Sequence, residues 1–197
     1  MKFLIFTLVL TISISSYSQE ILTKTIDSKE LKRKQAIKVY VPKDYKKNTE
    51  VQYPVAIVLG DQYLFDLYVG NAKLYADADM APQQIVIGID MTTTYDKDTS
   101  IIPATNALTN SAINFYNFIK YELLQYTEST FRTSPFLAIS AEGKAANFIS
   151  HFLKESEPIF NAYICATPEF SEFSSELIRS YALQRISEID NTFFCFC

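Results

Sequence analysis

Residues 136–151, Phe-Leu-Ala-Ile-Ser-Ala-Glu-Gly-Lys-Ala-Ala-Asn-Phe-Ile-Ser-His, constrain the fold more than any other stretch of this chain. The first part is short and apolar, as a strand buried on both faces is. The second part repeats Ala145, Phe148, Ile149 and Phe152 at three- and four-residue steps, the period of one helix side. Only Ala141-Glu142-Gly143-Lys144-Ala145 separates the two, so strand must become helix around one sharp corner. Gly143 suits that corner, because glycine freely adopts backbone conformations that cost other residues about 1–3 kcal/mol. Ala141 and Ala145 are small enough to let strand and helix approach.

The rest of the chain repeats this scheme. Apolar, β-branched runs predict strands at 21–26, 35–41, 55–59, 85–89, 137–140, 160–166 and 192–197. Between them, helical spacing predicts helices at 64–76, 110–130, 145–153 and 171–189. The first of these is expected to bury Leu64, Leu67, Tyr68 and Leu74, and the second Ala112, Phe115, Tyr116, Ile119, Leu123 and Tyr126. Pro42 ends the second strand, and the charged stretch 43–50 is expected to be a hairpin loop. Residues 90–106 form a long polar loop, either the rim of a cleft or a plain connection. Strands alternating with helices indicate parallel βαβ units. The expected fold class is therefore α/β: a three-layer α/β/α, doubly wound and mostly parallel sheet. Ligands of such sheets bind outside the carboxyl ends of the strands. Here that edge holds 60–62, 90–94, 141–144 and 167–169.

Composition narrows the function. With 197 residues and 48% hydrophobic content, the chain can bury one core, and residues 19–197 are expected to form a single domain. The net charge of −4 carries no basic excess, which argues against a nucleic-acid partner. Residues 1–18 have a signal-peptide pattern: Lys2, an apolar run at 3–14, and small residues at Ser16 and Ser18. They predict export, to the periplasm or the medium, and after cleavage no later run is long and apolar enough to span a bilayer. Of the three cysteines, Cys165 falls in a predicted strand and reads as core, while Cys195 and Cys197 alternate with phenylalanine. With His151 the only histidine, no metal site is expected, and no cofactor.

The ordered set of segments resembles the esterase D-like group of the α/β-hydrolases, which includes siderophore esterases. Val39-Tyr-Val-Pro-Lys-Asp-Tyr45 is similar to that group's opening strand. Tyr53-Pro-Val-Ala-Ile-Val-Leu-Gly-Asp-Gln-Tyr-Leu-Phe65 resembles its next strand and oxyanion loop. Phe131-Arg-Thr-Ser-Pro135 and Phe160-Asn-Ala-Tyr-Ile164 are similar to the segments flanking its nucleophile corner, Gly-x-Ser-x-Gly. In the family pattern the nucleophilic serine lies eight residues after the proline of the first segment and seventeen before the phenylalanine of the second. Both measures arrive at position 143, which is glycine.

The resemblance therefore implies the fold and a small ester or siderophore-like ligand, while the residues argue against ester chemistry. Ser140 is the fallback nucleophile but reads as a strand residue with the wrong flanks. The family's acid and histidine follow later strands, and the chain ends at Cys197 before either position, so a C-terminally truncated hydrolase domain is expected. The expected pocket and oxyanion residues are Gly60, Asp61, Gln62, Tyr63, Glu142 and Lys144. Three functions follow: a catalytically impaired hydrolase-fold protein that binds a ligand, an active esterase with an atypical site, or a non-functional fragment.

Overall fold

The apolar runs pair into one sheet. The computed structural model describes residues 21–157, 159–169, 172–182 and 193–196. Its strands are β1 (Ile21–Ser28), β2 (Arg33–Tyr40), β3 (Tyr53–Gly60), β4 (Ile85–Asp90), β5 (Ile101–Ile102), β6 (Ala107–Leu108), β7 (Thr133–Glu142), β8 (Ala162–Ala166) and β9 (Phe193–Phe196). Its helices are α1 (Gln62–Asp77), α2 (Tyr95–Asp98), α3 (Asn110–Asn117), α4 (Leu124–Thr130), α5 (Gly143–Ile149) and α6 (Glu172–Leu177). The main sheet has the order β1-β2-β4-β3-β7-β8-β9. β1 and β2 form an antiparallel hairpin, β2 joins β4 antiparallel, and all later neighbours are parallel. This is the three-layer, mostly parallel α/β sheet that the sequence predicts. The signal-like segment 1–18, residues 171 and 183–189 of the last predicted helix, and residues 192 and 197 of the last predicted strand lie outside the described residues.

Two cores separate the layers. On one face Ile37, Val39, Ile57, Leu59, Ile87, Ile139 and Tyr163 pack under α3, α4 and α5. Phe115, Phe148, Phe152 and Phe160 join them in a chain of ring contacts at 5.3–6.0 Å. On the other face Tyr40, Val58 and Val86 meet Leu64, Phe65, Val69 and Ala72 of α1. The helix sits close, because Gly88 of β4 has no side chain: a Cβ there would lie 2.5 Å from the Phe65 ring. α1 follows β3 onto one face and α5 follows neighbouring β7 onto the other. That divergence opens a crevice between the two strand ends, as at the switch point of doubly wound sheets.

Several expectations change. Residues 43–50 do not close a hairpin, since β2 pairs with β4 and the chain passes over to reach β3 in the sheet centre. Leu67 and Leu74 point to solvent, while Phe65 and Val69 are buried instead. The phase of α1 is set by Gly88 and its neighbours in β4, not by the count of apolar residues on either side. The polar loop 90–106 is partly ordered: it contains α2 and the small β5–β6 ribbon. The long helix predicted at 110–130 widens to a π-helical turn at Phe118–Leu123, between α3 and α4.

Candidate functional site

β7 ends at Glu142 in extended backbone, with φ −123° and ψ 149°. Gly143 then turns left-handed at φ +56° and α5 starts. The corner expected from sequence is thus present, with residue 143 at its tip. Two other left-handed residues stand at the same sheet edge: Gly60 at φ +141° ends β3, and Thr167 at φ +40° follows β8. Thr167 has no glycine's freedom, so its backbone holds strain of the order of 1–3 kcal/mol, a cost that tends to gather at functional sites.

These turns surround a cleft of about 440 Å³ walled by Gly60, Asp61, Tyr63, Tyr95, Glu142, Gly143, Lys144, Thr167 and Glu169. Five of the six pocket residues expected from sequence meet there. Gln62 does not: it turns toward Lys38, which donates to its Oε1, and its amide donates to Asp66 at 3.1 Å. Ser140 lies two positions inside β7, buried, in register with Val58 and Ile164, and lines no wall of the cleft. His151 is buried beyond α5, its Nδ1 3.4 Å from Lys154 Nζ and its Nε2 without a hydrogen-bond partner. It lines no wall of the cleft either. Among the described residues no group of His, Cys, Asp and Glu is arranged to hold a metal ion. Also among them, no helix is long and apolar enough to cross a membrane.

Tyr95 is the residue that sequence reasoning misses. Its hydroxyl donates to the Glu142 carbonyl at 2.8 Å and accepts from the Ala145 N–H at 3.2 Å, bridging the last strand residue and the first helix turn. A Cβ at position 143 would sit 3.5 Å from this oxygen, an ordinary contact. Burial pushes the Tyr95 phenol above its usual range, so it stays protonated and can keep donating. α2 is anchored from behind by Arg33, which pairs with both oxygens of the fully buried Asp98. In front, Lys144 Nζ meets Asp96 Oδ1 at 2.7 Å, and that hydrogen bond holds the ammonium above its ordinary range. At the mouth the Tyr63 hydroxyl donates to Glu142, and this bond pushes the phenol up to about 12.

A second cavity of about 460 Å³ adjoins the first and shares Lys144 and Glu169 with it. Asn147, one helical turn behind Gly143, lines it together with Asp96, Thr99 and Ser100. Its Nδ2 donates to the Glu169 carbonyl, while its buried Oδ1 accepts nothing.

Sheet order, helix placement and strand-end corner together define an α/β-hydrolase fold. No protein-family model and no curated protein matches the chain. Solved structures do. An uncharacterised protein from Capnocytophaga ochracea superposes with a TM-score of 0.71 at 19% identity, over 90% of this chain and 58% of its own. An IroE-like serine hydrolase from Shewanella oneidensis gives 0.67 at 19% identity, over 90% of this chain and 73% of its own. A siderophore hydrolase from Aspergillus nidulans gives 0.68 at 15% identity, over 89% and 68%. The chain thus spans about three-fifths of the first of these proteins and about seven-tenths of the other two.

Proposed function

We propose that this is an exported hydrolase-fold protein that binds a small molecule in the cleft at the 143 corner and does not hydrolyse esters efficiently. One observation carries the reading. The corner keeps a nucleophile's backbone geometry, φ +56° at its tip, while the residue there has no side chain. A serine hydrolase needs a hydroxyl at that tip and a base within hydrogen-bond reach of it. Here the hydroxyl nearest the tip belongs to Tyr95. It is engaged in holding the backbone, and its raised pKa makes it a poor nucleophile. Neighbours that are siderophore hydrolases support a small-molecule ligand. Export rests on the pattern of residues 1–18.

The test is hydrolysis of an aryl acetate, with a serine-reactive phosphonate probe alongside. Wild-type protein is expected to show no saturable turnover and no label. The Gly143→Ser variant is expected to fold, since its Cβ meets only ordinary contacts, at the cost of placing a non-glycine residue at left-handed φ. Saturable turnover by the wild type would remove the proposal. If Ser140→Ala then abolished that turnover, the nucleophile would be Ser140.

A further inference from the structure

We infer that the outer face of α1 is the contact surface of a two-fold dimer, in which the helices of two copies of this chain cross antiparallel at Gly70. A glycine without a task inside the chain, leucines turned to solvent on either side of it, and charges that match when the helix meets itself carry the inference.

Gly60 and Gly143 hold left-handed backbone, and Gly88 makes room for the Phe65 ring. Gly70 does neither. It stands exposed in the middle of the 16-residue helix α1, in helical backbone, and a Cβ there would meet nothing within 4 Å. Glycine at such a position weakens a helix relative to alanine, because it loses the most backbone freedom on folding. What a bare helix position permits is the close approach of a second helix, since the spacing of packed helices is set by the side chains at their contact. Leu67 and Leu74 lie about one turn to either side on the same stripe, 57% and 63% exposed. A lone exposed leucine is common on protein surfaces. Two of them flanking a bare position make a saddle between apolar knobs.

The charges fix the occupant. Asp66 and Lys73 stand two turns apart along one flank of that stripe. Among the described residues neither is in an ion pair: Asp66 accepts from the Gln62 amide at 3.1 Å, and Lys73 Nζ lies 5.1 Å from the centroid of the Tyr40 ring. The midpoint between Asp66 and Lys73 and the midpoint between Leu67 and Leu74 fall on either side of Gly70. A two-fold axis at Gly70 that sets a second α1 antiparallel therefore lays Leu67 of each copy beside Leu74 of the other. It also lays Asp66 of each copy beside Lys73 of the other, so opposite charges meet twice. Such self-complementarity is what an isologous two-fold contact requires, with i on j and j on i. A helix of this length spans about 24 Å. A contact of that reach falls at the small end of specific interfaces, so the expected dimer dissociates in the micromolar range or above.

Sedimentation equilibrium of the full chain, from low to high micromolar concentration, reads the dimer directly. A reversible monomer–dimer equilibrium is expected, and Leu67→Glu should weaken it at least about tenfold. Gly70→Gln has two effects of opposite sign. A helix-forming residue replaces glycine in open space, which should raise the melting temperature of the dilute monomer by about 2 °C. The same side chain holds the second helix off and should weaken the dimer about tenfold. Asp66→Lys and Lys73→Asp should each weaken the dimer about fivefold, since like charges then meet twice, and the two together should restore it. A monomer at every concentration overturns the inference and leaves the stripe to a partner other than a second copy. A dimer that Leu67→Glu and Gly70→Gln leave unchanged places the contact elsewhere and overturns it too. A lower melting temperature in Gly70→Gln would show that the glycine serves the monomer, and would remove the crossing point. Opposite effects of the two single charge variants, or no recovery in the pair, would overturn the two-fold match, because net charge alone predicts the first result.

Discussion

Tyr95 does at the corner what a hydrolase nucleophile never has to do: it holds the backbone shut from outside. Its hydroxyl satisfies the N–H of the fully buried Ala145 and a carbonyl at the strand end. Tyr95→Phe removes one oxygen, which leaves the Ala145 N–H without this acceptor and the Glu142 carbonyl without this donor. The expected cost is about 1–3 kcal/mol, the usual range for orphaning buried polar groups. The specific readout is the Ala145 amide, which should exchange with solvent markedly faster in Tyr95→Phe than in wild type at equal global stability. Unchanged exchange would show that the bridge does not secure the corner. Gly143 itself was legible from sequence, because two flanking segments count to the same position. Tyr95 was not, because it sits in a polar stretch of the chain 47 positions from its partner Glu142. No periodicity or motif marks it.

The same contrast holds among helices and strands. Continuous β-branched runs such as Val55–Leu59 announce a strand buried on both faces, and β3, β4 and β7 appear where they were expected. Which side of α1 is buried was not legible, because Leu67 and Leu74 compete with Phe65 and Val69 and only the bare Gly88 opposite decides. The π-helical turn at Phe118–Leu123 was hidden for a related reason: its role is met elsewhere in the chain. The wide turn contains Glu122, whose carboxylate reaches the β1–β2 hairpin. There it accepts the Lys29 N–H at 2.9 Å, the Glu30 N–H at 3.2 Å and the Ser28 hydroxyl. One side chain thus caps a turn that pairs an edge strand to the sheet. Glu122→Ala is expected to lower stability by about 1–2 kcal/mol, since water replaces part of the lost bonding at this half-buried position. A urea midpoint that does not fall would show the cap to be dispensable.

Taken together, the core imposes a pH dependence on the fold. His151 is buried against Lys154, and desolvation first, then the Lys154 charge, pulls its pKa down to about 3 from an ordinary 6.5. Between those values the unfolded chain binds a proton that the folded chain refuses. Stability from this group is therefore complete above about pH 6.5 and declines as pH falls toward 3, by an amount on the order of a few kcal/mol. His151→Leu removes the titration, and Nε2 has no hydrogen bond to lose. The variant is expected to gain on the wild type steadily in urea unfolding at pH 7, 5.5 and 4.5. A constant difference across that range would mean that His151 takes up its proton as readily in the folded state as in the unfolded one.

Among the described residues, the cleft at the corner is walled by four stretches that are distant along the chain: the end of β3 with the start of α1, the short α2, the 143 corner, and the turn after β8. A linear peptide copied from any one of them carries a minority of the wall. An antiserum raised against such a peptide would bind the denatured polypeptide and pass over the native cleft. Occupancy of that cleft is accordingly a measure of conformational integrity, lost with cooperative melting and regained only when all four stretches reassemble.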